Sequence, residues 1–210
     1  MKKNIFLLED IPAVPFYFIR HGETDWNLNK LCQGRKDIPL NTNGIKSAYA
    51  AAKKLSNVSF DLIFTSPLLR AKQTAEILSK ELKIDFEIAE EFAERGFGEL
   101  EGKSSFLMYE FEKQETKGNI SEDFKDLKVE KIEDLQARIK KGLKNILDPN
   151  LQILLVSHGR LFFALNQMLS IKLINQIQNT EPLLIKPEKG YWEIIDQSNE
   201  SFPLFNFKID

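Results

Sequence analysis

Phe16-Tyr17-Phe18-Ile19-Arg20-His21-Gly22 and Ile153-Leu154-Leu155-Val156-Ser157-His158-Gly159 share one pattern: an apolar run, a polar residue, a histidine, then glycine. His21 and His158 are the two histidines of the chain. Apolar runs without alternation, rich in branched and aromatic residues, read as strands buried on both faces of a parallel sheet. The residue just past the carboxyl end of such a strand lies where open α/β sheets place their ligands. Two imidazoles delivered to that edge, one preceded by Arg20, point to an anion site and to nucleophilic or acid–base chemistry.

Outward from these runs the pattern alternates. Gly44 to Leu55 reads as a helix with Ile45, Ala48, Ala52 and Leu55 on one face and Thr42 or Asn43 as its cap. Phe60 to Thr65 is a strand ending at Ser66-Pro67, a serine-capped, proline-led start for a helix through Arg70 to about Lys80. Ile84 to Ile88 is a further strand. Val129 to Leu147 is a long amphipathic helix, and Leu161 to Leu169 is a helix apolar all round. Leu183–Ile185 and Tyr191–Ile195 form a terminal hairpin through Pro187 to Gly190. The expected fold is therefore α/β, a three-layer α/β/α sandwich around a mostly parallel sheet. Residues 1–210 form one domain, with the charged segment of about 103–128 as an insertion over the active site. The residues before Phe16 are long enough for an extra edge element.

A net charge of -2 gives no footprint for nucleic acid, so any positive potential is local and suits a small phosphorylated ligand. The single cysteine, Cys32, forms no internal disulfide and is read as a packing residue rather than a reactive thiol. The run Ile5–Leu8 is too short for a signal-peptide core, and no apolar stretch approaches a membrane span. A cytoplasmic protein with no membrane partner is expected. Oligomeric state leaves no mark on the sequence.

If the strands are neighbours, their ends gather Arg20, His21, Arg70 and His158. Guanidinium forks match phosphate oxygens, and an imidazole with a free ring nitrogen can attack phosphorus. Phosphoryl transfer needs little more than in-line placement and charge stabilisation. A proton for the leaving alcohol requires an acid, and Glu94, between Phe92 and Phe97, is the candidate, with Glu90, Glu91, Glu99 and Glu101 as competitors.

Taken together, these residues resemble the histidine phosphatase superfamily, the phosphoglycerate-mutase-like proteins. The blocks that carry the resemblance are Arg20 to Thr24 with Trp26-Asn27, Gln33 to Leu40, Ser66 to Ala75, Glu94 to Gly102 and Ser157 to Gly159, in the family's order. The resemblance implies His21 as the nucleophile that becomes phosphohistidine, and Arg20, Arg70 and His158 as the rest of the phosphate pocket. It further implies Asn27 and Gln33 as phosphate contacts, Glu94 as proton donor, and neither metal nor organic cofactor.

One departure is Arg160, where many members have a second glycine after the His-Gly pair. Its side chain is expected at solvent, with a contact to a second anion as the alternative. The leading expectation is a phosphatase-type phosphomonoester hydrolase acting on a small phosphorylated metabolite. A phosphoglycerate mutase using the same histidine is the first alternative. Mutase-type members tend to carry Gly-Trp and an acidic residue where this chain has Gln33-Gly34-Arg35-Lys36-Asp37. The second alternative, a non-catalytic anion-binding module, conflicts with the joint presence of Arg20, His21, Arg70, Glu94 and His158.

Overall fold

The computed structural model describes residues 11–171, 177–189 and 191–196. The possible edge element before Phe16 falls largely on residues 1–10, outside these. The strands are β1 (Phe16–Arg20), β2 (Leu62–Thr65), β3 (Phe86–Ile88), β4 (Ile153–Ser157), β5 (Pro182–Glu188) and β6 (Tyr191–Asp196). The helices are α1 (Asp25–Leu28), α2 (Thr42–Leu55), α3 (Leu69–Leu82), α4 (Ser105–Lys117), α5 (Ile132–Ile146) and α6 (Gly159–Met168). One sheet runs β3-β2-β4-β1-β5-β6, with the first four strands parallel and the terminal hairpin antiparallel.

Handedness explains the layering. From β1 the chain moves outward through α2 to β2 and through α3 to β3, then returns through α5 to β4. Right-handed crossovers that reverse direction must put their helices on opposite faces. Accordingly Tyr17, Ile19, Leu154 and Val156 pack with Ala51, Leu55, Ala75 and Leu78 of α2 and α3. Phe16, Phe18, Ile153 and Leu155 pack with Leu135, Ile139, Leu161 and Leu165 of α5 and α6. Both faces are covered, which is why these strands show no alternation. A smaller core of Cys32, Phe97, Leu100, Met108 and Phe111 lies beneath α4.

Several boundaries differ from the sequence reading. The cap of α2 is Asn41, whose side chain accepts from Gly44 N at 2.8 Å. Ile45 is 41 % exposed, and Ala51 takes the buried position instead. Helix α3 starts at Leu69 without a side-chain cap of its own; Asp37 Oδ1 accepts from Leu69 N at 2.5 Å. Ser66 lies two residues before the N-cap Leu68; its Oγ accepts from Leu68 N at 3.2 Å and lies 2.6 Å from His158 Nε2. Gly22 and Gly44 touch backbone to backbone: a Cβ on Gly44 would lie 2.1 Å from Glu23 O, so α2 seats directly on the loop after β1.

Candidate active site

Strands β1 and β4 are parallel neighbours with Arg20 paired to Ser157, so the two histidines emerge side by side. Their ring centroids are 5.1 Å apart, and His21 N donates to Ser157 O at 2.9 Å. His21 Nδ1 lies 2.7 Å from Gly22 O, an acceptor only, so Nδ1 carries the hydrogen. Nε2 then holds the lone pair, and Arg70 Nε donates to it at 3.2 Å. Burial first, then the charges of Arg70 and Arg20, hold His21 well below the usual imidazole range, which keeps that nitrogen unprotonated. His158 is depressed likewise, by burial and then by Arg70.

Arg70 is 1 % exposed, on the first turn of α3, and its other nitrogens donate to Gly34 O and Lys36 O at 2.8 Å. Those bonds fix the plane of its fork. Arg20 NH1 donates to Ile177 O at 3.0 Å. His158 Nε2 lies 2.6 Å from Ser66 Oγ. Glu94 is buried at the amino end of α6: Oε1 accepts from Arg95 N and Leu161 N at 2.9 and 2.8 Å, and Oε2 from Arg160 N at 3.0 Å. Oε2 thus retains a lone pair. Asn27 Oδ1 reaches back to Thr24 N in the capping box of α1, leaving the amide nitrogen.

Four buried polar side-chain atoms lack a partner among the described residues: Arg20 Nε, His158 Nδ1, Gln33 Oε1 and Asn166 Nδ2. Three belong to residues singled out from the sequence. Such orphans are rare, and two of the four residues, Arg20 and Gln33, line one cavity. Arg20, His21, Asn27, Gln33, Arg70 and Glu94 line that cavity, of about 640 Å³, while His158 is fully buried beside His21 and does not line it. Tyr109, Met108 and Ser105 of the segment 103–128 also line it.

Some residues around the site escaped the sequence reading. Asn179 donates to His21 O at 2.7 Å, and Thr74 Oγ1 accepts from Gly22 N at 3.0 Å. Arg138 donates to Glu91 O and Ala93 O at 2.6 Å and to Glu94 O at 3.0 Å, holding the loop that carries Glu94. Thr74 lies in a quoted block; Asn179 and Arg138 stand in segments without a motif. Arg160 does not point to solvent, for its guanidinium is clamped to Glu112 of α4. Cys32 is buried, and burial with nearby carboxylates pushes its thiol up to about 12, as befits a packing residue. Among the described residues no group of three His, Cys, Asp or Glu could hold a metal ion, and no helix is long and apolar enough to cross a membrane.

Two imidazoles and two guanidinium groups, Arg70 buried and Arg20 half-buried, thus meet at the carboxyl edge of a three-layer α/β/α sandwich. The chain belongs to the histidine phosphatase superfamily (branch 1), whose family model matches residues 16–199. It is 38 % identical over 149 residues to the uncharacterized phosphatase PhoE of Bacillus subtilis (strain 168), covering 70 % of this chain and 72 % of that one. It is 45 % identical over 92 residues to the fructose-2,6-bisphosphatase TIGAR of Xenopus laevis, covering 40 % of this chain and 33 % of that protein. The phosphoglycerate mutase structure from Bacillus anthracis str. Sterne aligns at a TM-score of 0.73 and 25 % identity, over 89 % of this chain and 93 % of that one.

Proposed function

We propose that the protein hydrolyses small phosphomonoesters through a phosphohistidine on His21. The observation that carries this reading is the pair of unpartnered buried nitrogens, Arg20 Nε and His158 Nδ1, together with a histidine whose Nε2 is unprotonated and meets only the Arg70 Nε donor. Arginine Nε always bears hydrogen. Ser66 Oγ can donate to His158 Nε2, which puts the ring hydrogen on Nδ1. Both orphans are then donors, and an anion satisfies donors.

In this reading the phosphoryl oxygens take the hydrogen bonds of Arg20, Arg70 and His158, with Asn27 and Gln33 at the periphery. His21 Nε2 attacks phosphorus, the P–O ester bond breaks, and the leaving oxygen takes a proton from Glu94 Oε2. Gly22 O holds the Nδ1 hydrogen of the charged ring that results. Water then attacks the phosphohistidine, gives its proton to Glu94 and releases inorganic phosphate, restoring neutral His21. The segment 103–128 walls the leaving-group side.

A screen of phosphorylated metabolites for phosphate release, with and without 2,3-bisphosphoglycerate, tests this. Release from several monoesters without the bisphosphate is expected. Isomerisation of phosphoglycerate that requires the bisphosphate would make the protein a mutase instead. Binding of phosphate with no turnover of any ester would make it an anion-binding module.

A further inference from the structure

Arg160 stands directly beside the reacting groups. Its backbone N–H donates to Glu94 Oε2 at 3.0 Å, and its side chain lines both the main cavity and a smaller one of about 280 Å³ under α4. A guanidinium at this place would ordinarily bind a second anionic group of the ligand. Here the fork is already engaged: Nε lies 3.0 Å from Glu112 Oε1 and NH2 lies 2.7 Å from Oε2. The Phe163 ring, 4.7 Å away, and the Tyr109 ring, at 5.5 Å, fix its plane. Glu112 is itself mostly buried, and Arg95 NH1 lies 3.6 Å from Oε1, the oxygen that also meets Arg160 Nε.

We propose that the Arg160–Glu112 ion pair is a charge filter, selecting phosphomonoesters whose alcohol carries no second negative charge. This rests on the hydrolase reading above. The other cations of the cavity are Arg20 and Arg70, which serve the phosphoryl group, and Lys30, which is exposed at the rim where water and salt screen it. A carboxylate or second phosphate on the leaving alcohol meets a neutral pair, in a cavity that Glu23 also lines. Esters of sugars, nucleosides or phenols fit; phosphoglycerates and bisphosphates do not.

The test compares kcat/KM for p-nitrophenyl phosphate and glucose 6-phosphate with that for 3-phosphoglycerate and fructose 1,6-bisphosphate. Wild type is expected to favour the first two. Glu112→Gln leaves Arg160 uncompensated, so the efficiency on 3-phosphoglycerate relative to glucose 6-phosphate should rise by about five-fold or more, through KM. Adding Arg160→Met should cancel that gain. An unchanged ratio in folded Glu112→Gln overturns the proposal. If Glu112→Gln alone does not fold, the double variant Glu112→Gln, Arg160→Met, which removes both charges, decides: wild-type discrimination supports the filter, and a selective loss on the doubly anionic esters overturns it. Absence of turnover of every ester counts against the hydrolase reading instead. Calorimetric binding of inorganic phosphate against 3-phosphoglycerate to wild type and Glu112→Gln then tests the filter by itself, the same gain or its absence being decisive.

Discussion

The two walls of the cavity are built by different means. On one side His21 and His158 stand at the ends of paired strands, with Arg70 on the first turn of α3. Their positions follow from backbone ladders and a covered sheet, and their side chains are fixed by carbonyls such as Gly22 O and Gly34 O. On the other side α4 is held across the cavity by side chains: Glu112 to Arg160 and Arg95, and Glu115 to Arg95 at 2.6 Å. A wall made of backbone is set by the fold and suits chemistry shared across a family. A wall made of side-chain pairs can be rewritten residue by residue, which suits choice of substrate.

The largest expected effect falls on the first wall. His21→Ala should cut turnover by at least about a thousandfold, since no other nitrogen there can attack phosphorus. Circular dichroism and melting should show a folded protein. Acid-labile phosphate should be found on His21 of quenched wild type. Near-normal activity in the variant would break the division between the walls.

Arg70→Ala should come next, with about 3 kcal/mol lost from kcat, the scale of one lost oxyanion donor. The variant also leaves Gly34 O and Lys36 O without their donor, at a stability cost of about 1–3 kcal/mol. Single-turnover kinetics separate the two. A raised KM with normal kcat would place Arg70 on a remote part of the substrate.

The first wall was legible in the sequence and the second was not. The strands declare themselves because burial on both faces demands unbroken apolar runs, and a histidine with glycine after such a run needs no tertiary knowledge to be noticed. The partners of α4 lie far apart in sequence, Glu112 with Arg160 and Arg95 with Glu115, and charged residues on a helix look alike whether solvated or paired. From sequence alone Arg160 therefore reads as solvent-facing. Ser66 shows the same limit on a smaller scale. A serine before proline fits a helix cap, and only the neighbouring strand reveals His158 as its partner.

Glu94 lies between the walls, on a loop held by Arg138 and at the end of α6. If it protonates the leaving oxygen, Glu94→Gln should slow hydrolysis of sugar phosphates far more than that of p-nitrophenyl phosphate, whose phenolate needs little help. The ratio is the informative quantity, because the new amide must also face three backbone N–H groups. Equal losses would make Glu94 structural.

For the second wall, Arg95→Met should change turnover little but loosen α4. Its side chain is 2 % exposed and pairs with Glu112 and Glu115. Amide exchange should quicken across Ser105–Lys117 while β1 and β4 stay protected, because the pairs hold α4 and not the sheet. Uniform loss of protection would show that the two walls unfold as one.

The smallest effect is a pH slope in stability. Both histidines are held well below their ordinary value of 6.5, by burial first and then by Arg70. The unfolded chain therefore takes up protons below about 6.5 that the folded chain refuses. Stability should be unaffected by these groups above that pH and should fall as pH drops through it, on down to the depressed folded values. A His21→Asn, His158→Asn double variant removes this contribution while carboxylates elsewhere remain. Its melting temperature should therefore decline less between pH 7 and 5 than that of the wild type. Equal slopes would mean that the imidazoles accept protons in the folded state, so that His21 would lose its lone pair near neutrality and the nucleophile would fail where the first wall is supposed to preserve it.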